Sequence, residues 1–252
     1  KTATGVEIAE GYGLTEATCL VSCNPVEGLK KVGSVGLPLP YSHVRILCKT
    51  PTGFRECATD EIGEICVASP GVFEGSTYTE ADKNHELFAE GRFLRTGDLG
   101  RLDGDGYLWI TGRAKDLIIR GGHNIDPAEI EEAMLSHPAV AFAGAIGQPD
   151  SFAGELPCAY VELVAGAEVT VEALAEHARS HIPERAAIPK HIEILDELPK
   201  TAVGKIFKPD LRKRAIARVY GAALTQAGLA VTVAEVVDDR KRGLVARLAR
   251  TE

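Results

Sequence analysis

Several things are scarce in this sequence, and each scarcity narrows the reading. Among 252 residues there is one methionine, Met134, and the chain opens on Lys1. The expectation is a piece of a longer protein, with part of any active site outside it. Basic residues are outnumbered, 28 Lys and Arg against 36 Asp and Glu, for a net charge of -8. Bulk charge therefore excludes a nucleic-acid-binding face, although a few basic groups can still converge on an anionic cofactor. The six cysteines, Cys19, Cys23, Cys48, Cys57, Cys66 and Cys158, form no C-x-x-C pair. They read as free thiols of a reducing, cytoplasmic compartment. No apolar run reaches membrane-span length, no secretory-leader pattern occurs in these residues, and no internal repeat is evident.

What is present is the balance of a globular protein: 45% hydrophobic and 25% charged residues. Length allows one large domain or two ordinary ones. Up to about residue 112 the chain is rich in Gly and Pro, with short apolar runs. Ser42–Cys48, Gly63–Ala68 and Gly106–Thr111 read as strands, the last after the turn signal Asp103-Gly-Asp-Gly106. Val32–Pro40 reads as a loop. Beyond Arg113 the pattern changes. Asp126-Pro127-Ala128-Glu129 is a helix start, with an Asp N-cap and Pro at the first helical position, and its helix should reach about Ser136. Ala139–Ile146, Leu156–Val164 and His191–Leu195 read as strands. Val171, Leu174, Ala175, Ala178 and Ile182 fall at helical spacing. Lys208 to about Leu229 is a helix or helix pair, and Val231–Val237 and Leu244–Leu248 flank the charged turn Asp238–Gly243 as a terminal hairpin. The fold class is α+β, with a boundary near Ala114–Asp116. The expected division is 1–113, 114–218 and an extension over 219–252.

Four strings carry chemistry. Gly11-Tyr-Gly-Leu-Thr-Glu16 offers close backbone approach, a flat aromatic face at Tyr12, a hydroxyl at Thr15 and a cation ligand at Glu16. Alone it reads as a tight turn followed by a helix start. Arg95-Thr-Gly-Asp-Leu-Gly100 places Asp98 after Gly97 at a strand end, where it could accept two ribose hydroxyls; alone it is an Asx-turn. Gly112–Glu131 contains the fork donor Arg113 and the pair Gly121-Gly122, which alone is a hairpin turn. Pro199-Lys-Thr-Ala-Val-Gly-Lys205 puts a lysine after a glycine, a point charge able to reach into a cleft. Other sets are weaker. His177 and His181 lie at i, i+4 with no third ligand apparent, so a solvated face is favoured. Cys19 and Cys23 share that spacing, and buried thiols are the expectation.

Taken together, in this order and separation, the four strings resemble the adenylate-forming superfamily of acyl-CoA synthetases, luciferases and peptide-synthetase adenylation domains. The match runs from about Gly11 to Arg212, with support from Gly63–Val67 and Pro70–Gly75. The resemblance implies the β-rich end of a large N-terminal AMP-binding domain, then a small mobile C-terminal domain. It implies that Tyr12 stacks on adenine, Thr15 meets the α-phosphate and Glu16 helps hold Mg²⁺. Asp98 would bind the ribose with Arg113 assisting. Lys205 would be the adenylation lysine, Lys115 the hinge, and Gly121 and Gly122 would line the path of the coenzyme A arm. Gly13 stands where acetate-specific members carry a bulky Trp, so an acid larger than acetate is implied. The implied partners are ATP, Mg²⁺, coenzyme A, a carboxylic acid, as in fatty acid metabolism, and the missing N-terminal part; a homodimer is allowed. The superfamily's phosphate loop and most of the acyl pocket are absent from these residues, and the piece alone is expected to be inactive. Two other functions remain open at this point: an adenylation domain loading a carrier protein, and a non-catalytic module on a ligase-like fold.

Overall fold

The computed structural model describes residues 5–73, 77–84, 86–239 and 241–250. Lys1, the Glu74-Gly75 end of the Pro70–Gly75 string and Arg240 of the charged turn lie outside them. The fold is mixed α and β, and the chain divides into two units, Lys1–Lys115 and Asp116–Glu252. The division falls inside a 3₁₀ turn, Ala114–Asp116.

The first unit is built almost wholly of strands. They are β1 (Gly11–Leu14), β2 (Cys19–Cys23), β3 (Leu37–Pro38), β4 (His43–Thr50), β5 (Gly53–Glu56) and β6 (Gly63–Ala68). After a single helical turn, α1 (Ala81–Asn84), come β7 (Phe88–Ala89), β8 (Phe93–Leu102) and β9 (Leu108–Arg113). Strands β1-β2-β3 form one sheet; the other runs β5-β4-β6-β8-β7, with β9 also paired to β8. The alternation read at Ser42–Cys48 is that of β4, which buries Ile46 and Leu47 at its centre. Ile46, Ile65, Val67, Leu94 and Leu108 of the larger sheet share a core with Tyr12, Ala17 and Val21 of the smaller. The β8–β9 turn is held by its aspartate: Asp103 Oδ1 accepts the N–H groups of Asp105 and Tyr107 at 2.9 and 3.0 Å.

Two readings of this region are corrected. Gly11–Glu16 is not a turn opening a helix. It is strand β1, paired antiparallel to β2, and then a 3₁₀ turn, Thr15–Ala17. Asp98 is not at a strand end but in the middle of β8, just past Gly97. Gly97 takes φ +72°, which a strand seldom contains and which hid β8 from a reading based on breakers.

In the second unit, β10 (Ile118–Arg120) and β11 (His123–Ile125) form a hairpin, then α2 (Pro127–Leu135), β12 (Val140–Asp150), β13 (Gly154–Leu163), α3 (Val171–His181), β14 (His191–Leu195) and α4 (Lys208–Gln226) follow. The sheet order is β11-β10-β13-β12, with β14 parallel to β13. It is covered on both faces, and β13 shows why its sequence is a continuous apolar run. Ala159 and Val161 pack with Ile130, Met134, Leu174 and Ala178 of α2 and α3. Cys158 and Tyr160 point the other way, to Leu211 and Ala215 of α4. Helix α2 starts where its cap predicts: Asp126 accepts the Ala128 N–H at 2.9 Å with Pro127 behind it. Gly144 of β12 lets α4 come close, since a Cβ there would stand 2.8 Å from Leu211 Cδ1.

Helix α4 is one helix rather than a pair. Its continuation, β15 (Val231–Asp239) and β16 (Gly243–Arg250), is the expected hairpin, a two-stranded sheet lying against α4. Among the described residues no helix is long and apolar enough to cross a membrane.

Candidate functional site

In the first unit the structure brings Tyr12, Asp98 and Arg113 together. Asp98 and Arg113 are direct cross-strand partners on β8 and β9, and Arg113 Nε lies 2.9 Å from Asp98 Oδ1. The other carboxylate oxygen, Oδ2, accepts the Tyr12 hydroxyl at 2.6 Å. Thr96 fixes the backbone here: its hydroxyl donates to Ile65 O at 2.8 Å and accepts the Asp98 N–H at 3.1 Å. Glu64 braces the same bend, accepting Arg95 Nε at 2.9 Å and the Gly97 N–H at 3.2 Å. Asp98 is 8% exposed and Tyr12 8%, whereas the Arg113 side chain is 58% exposed. Burial first, then the Asp98 hydrogen bond, push the Tyr12 hydroxyl far above its ordinary pKa, so it stays a donor at any working pH. The result is an acceptor carboxylate held between a fixed neutral donor and a solvent-facing guanidinium. Such a carboxylate can receive a vicinal diol, with the paired guanidinium facing solvent beside it.

The Thr15-Glu16 pair follows β1 on the 3₁₀ turn. Thr15 is exposed; Glu16 is half-buried, and its Oε1 accepts the Tyr78 hydroxyl at 2.5 Å. Its second oxygen is a hard donor of the type Mg²⁺ takes. Gly13 is enforced by the neighbouring chain. A Cβ there would stand 1.9 Å from Cys19 O, because Thr18 and Cys19 turn back with φ of +54° and +87°. An open groove beside it is lined by Gly13, Leu14, Thr15, Cys19, Leu20 and Phe73. Lys115 is exposed on the 3₁₀ turn and is the last residue of the first unit.

Gly121, Gly122 and Lys205 belong to the second unit. Gly121 and Gly122 form the two-residue turn of the β10–β11 hairpin with φ of +56° and +86°, the pattern of a type I′ turn. A Cβ at either would meet nothing within 4 Å. The backbone conformation, not crowding, selects glycine, and the turn offers a bare backbone surface. Lys205 closes a second tight turn. Thr201 N donates to Lys205 O at 2.7 Å, Lys205 N donates to Thr201 Oγ1 at 3.1 Å, and Gly204 takes φ +81°. The base of that turn is pinned by Glu162 of β13, which accepts the Leu198 N–H at 2.8 Å and Lys200 Nζ at 2.7 Å. Lys200 also lies 4.2 Å over the Phe142 ring. Lys205 itself is exposed, and no ion pair to it is found among the described residues.

Sequence reasoning missed the supports: Thr96, Glu64, Tyr78 and Glu162. Each acts on a residue 31 or more positions away or through a backbone bend, so no local spacing marks them. The weaker sets also resolve. His177 and His181 stack at 3.8 Å between ring centroids, and His137, which spacing could not have supplied, lies edge-on to His177 at 4.9 Å. Cys19 and Cys23 are not buried thiols: they sit on β2, with Cys19 exposed and Cys23 half-buried, because the strand ends at a backbone reversal.

Comparison with known proteins identifies the family of the chain. The AMP-binding enzyme model matches residues 1–77, and the model of the AMP-binding enzyme C-terminal domain matches residues 129–205. The marinolic acid–CoA ligase of a Pseudoalteromonas species is 48% identical over 217 residues, covering 85% of this chain and 33% of the relative. The long-chain-fatty-acid–CoA ligase of Bacillus subtilis is 40% identical over 205 residues, 81% of this chain and 36% of the relative. The o-succinylbenzoate CoA synthetase of Bacillus subtilis, solved with its acyl-adenylate intermediate, superposes with a TM-score of 0.69 at 35% identity over 81% of this chain and 40% of that one. The chain thus spans 33% and 36% of the length of these two curated relatives.

Proposed function

The chain belongs to the AMP-binding, adenylate-forming enzymes, and from that premise we propose that it is the C-terminal part of an ATP-dependent carboxylic acid–CoA ligase. The reaction is the joining of an acid to AMP with release of pyrophosphate, then transfer of the acyl group to the thiol of coenzyme A. The observation that carries the reading is the Tyr12–Asp98–Arg113 arrangement, a buried, pre-oriented carboxylate of the kind a ribose diol requires. In this proposal Asp98 receives the ribose hydroxyls, Arg113 assists, and the Tyr12 ring lies against adenine. Thr15 meets the α-phosphate and Glu16 gives an oxygen to Mg²⁺, which would supply charge neutralisation at the phosphates. Lys205 brings a positive charge to the place where carboxylate and phosphate meet; charge placed where negative charge develops lowers the barrier. The backbone of Gly121-Gly122 borders the coenzyme A arm, and Lys115 is the residue about which the second unit turns between the two half-reactions.

The apolar groove beside Gly13 supports an acid larger than acetate, and a fatty acid is consistent with it. The phosphate loop and most of the acyl pocket come from residues outside this chain. The protein acts in the cytoplasm, and a homodimer is compatible with the reading. Loading of a carrier protein is the second reading; the similarity to CoA ligases supports the first.

The experiment is CoA-dependent AMP release from a panel of carboxylic acids, measured on a protein that contains this chain. The expected result is one acid class turned over in the presence of CoA. Acyl-adenylate formation with no acyl-CoA product when CoA is supplied would replace the ligase with the carrier-loading enzyme. Chain 1–252 alone should release no pyrophosphate with any acid.

A further inference from the structure

The β4–β5 hairpin carries two cysteines that no step of the proposed reaction uses. Cys48 is on β4, opposite Arg55, and Cys57 follows β5 directly. Their sulfurs are 2.6 Å apart. That is inside the contact distance of two unbonded sulfurs and about 0.5 Å beyond a disulfide bond length. The backbone fixes the approach, since Cys57 N donates to Ile46 O at 2.8 Å and holds the residue in line with the strand pair. On the far side, a Cβ on Gly63 would stand 2.6 Å from Cys57 Sγ, so the sulfur is confined between that glycine and Cys48. Both residues are half-buried and reachable by a small reagent.

A carboxylate lies nearby, and Cys48, Cys57 and Glu61 together have the composition of a metal site. Glu61 is already committed. Its two oxygens accept Arg55 at 2.6 and 2.9 Å and the Ala58 N–H at 2.8 Å, and the Arg55 hydrogen bonds, then the backbone one, hold its carboxyl near 2. A cation would have to displace Arg55 and would need two thiolates beside a carboxylate. Losing two protons and two electrons, the electrons to the disulfide reagent, joins the sulfurs and adds no charge.

We propose that Cys48 and Cys57 are a reversible intramolecular disulfide site that reacts with low-molecular-weight disulfides. One protein sulfur displaces a thiolate from the reagent and forms a mixed disulfide; the second protein sulfur displaces the other half. Two S–H bonds are lost and one S–S bond is formed, and the reagent leaves as two thiols carrying the two protons. Burial, then the Cys48 contact, push the Cys57 thiol up to about 12, and the geometry allows either sulfur to make the first displacement. The closed link would tie β4 to the segment entering β6. Strand β6 pairs with β8, the strand of Asp98, so the staple tightens the sheet beneath the proposed nucleotide site without touching it. The inference stands whether or not the proposed ligase activity is correct.

The test is oxidation of the folded chain with glutathione disulfide, followed by alkylation and peptide mapping. The expected result is a Cys48–Cys57 linked peptide that dithiothreitol reverses, while exposed Cys19 forms only a mixed disulfide with glutathione. The Cys57→Ser variant should trap a stable mixed disulfide on Cys48, and Cys48→Ser a stable mixed disulfide on Cys57, neither progressing to an internal link. Glutathione on both cysteines with no link between them would overturn the proposal. So would alkylation of both at an unchanged rate after oxidation. Protection by Zn²⁺ without oxidant, reversed by a chelator, would also overturn it and make the pair metal ligands.

Discussion

In the first unit the residues proposed for the nucleotide are locked in place by one another, whereas in the second the proposed lysine stands at the end of a pinned turn with its side chain in solvent. Tyr12 and Asp98 are buried and joined, and Asp98 is further held by Thr96 and Arg113. Their rotamer entropy is spent on folding, so little remains to be lost when a ribose arrives. Lys205 has an ordered backbone and an unanchored stem. Fixing such a stem costs up to about 2 kcal/mol at the moment of use. Under the proposed function, recognition is pre-organised at Tyr12 and Asp98 and the charge of Lys205 is left mobile.

The sharpest way to break that contrast is Lys205→Ala. Removal of one group that stabilises charge developing in a transition state costs about 10²–10³ in rate. Pyrophosphate exchange in a protein containing this chain should fall by about that factor with Tm unchanged, because the side chain is exposed. An unaltered rate would remove Lys205 from the chemistry. Asp98→Ala should act on both properties at once. It leaves the Tyr12 hydroxyl without its acceptor, costing roughly 1–3 kcal/mol of stability, and AMP affinity read by calorimetry should drop with it. Loss of affinity alone would mean that the pair is less locked than the contacts indicate.

Gly144→Val tests the scaffold under the lysine turn rather than the turn itself. A side chain there meets Leu211 and Ile206, and overpacking of this kind costs about 1–3 kcal/mol, read from denaturant unfolding of the second unit. The smallest effect belongs to Glu162→Gln. The Lys200 hydrogen bond, then that from the Leu198 backbone, hold the Glu162 carboxyl below its ordinary range. A depressed folded pKa gives stability that is fully present above the unfolded value of about 4.3 and is lost as pH falls through the folded one. The variant should flatten that acid limb and cost at most about 1 kcal/mol at neutral pH.

Much of the second unit was legible because its signals are local. The Asp126-Pro127 cap, the period of α3 and the apolar run of β13 each state their own structure within a dozen residues. The first unit was less legible for a physical reason. Strand β1 contains two glycines and β8 contains Gly97 and Gly100, and only pairing with distant strands makes those segments extended. Tyr12 and Asp98 are 86 residues apart, so spacing could name them as candidates through a family resemblance but could not join them. The Cys48–Cys57 contact left no mark in the sequence either, since nine positions on a hairpin become a contact only once the register of β4 and β5 is set.

That register logic reaches its limit at Gly13. The contact there is main chain against main chain, with Cys19 O occupying the volume that any side chain would need. Pocket depth beside this strand cannot then be tuned one residue at a time. A larger residue at 13 and a different path for Thr18–Cys19 have to be acquired together, so if this groove takes the acyl group, as proposed, its size is a property of the β1–β2 connection rather than of a single position.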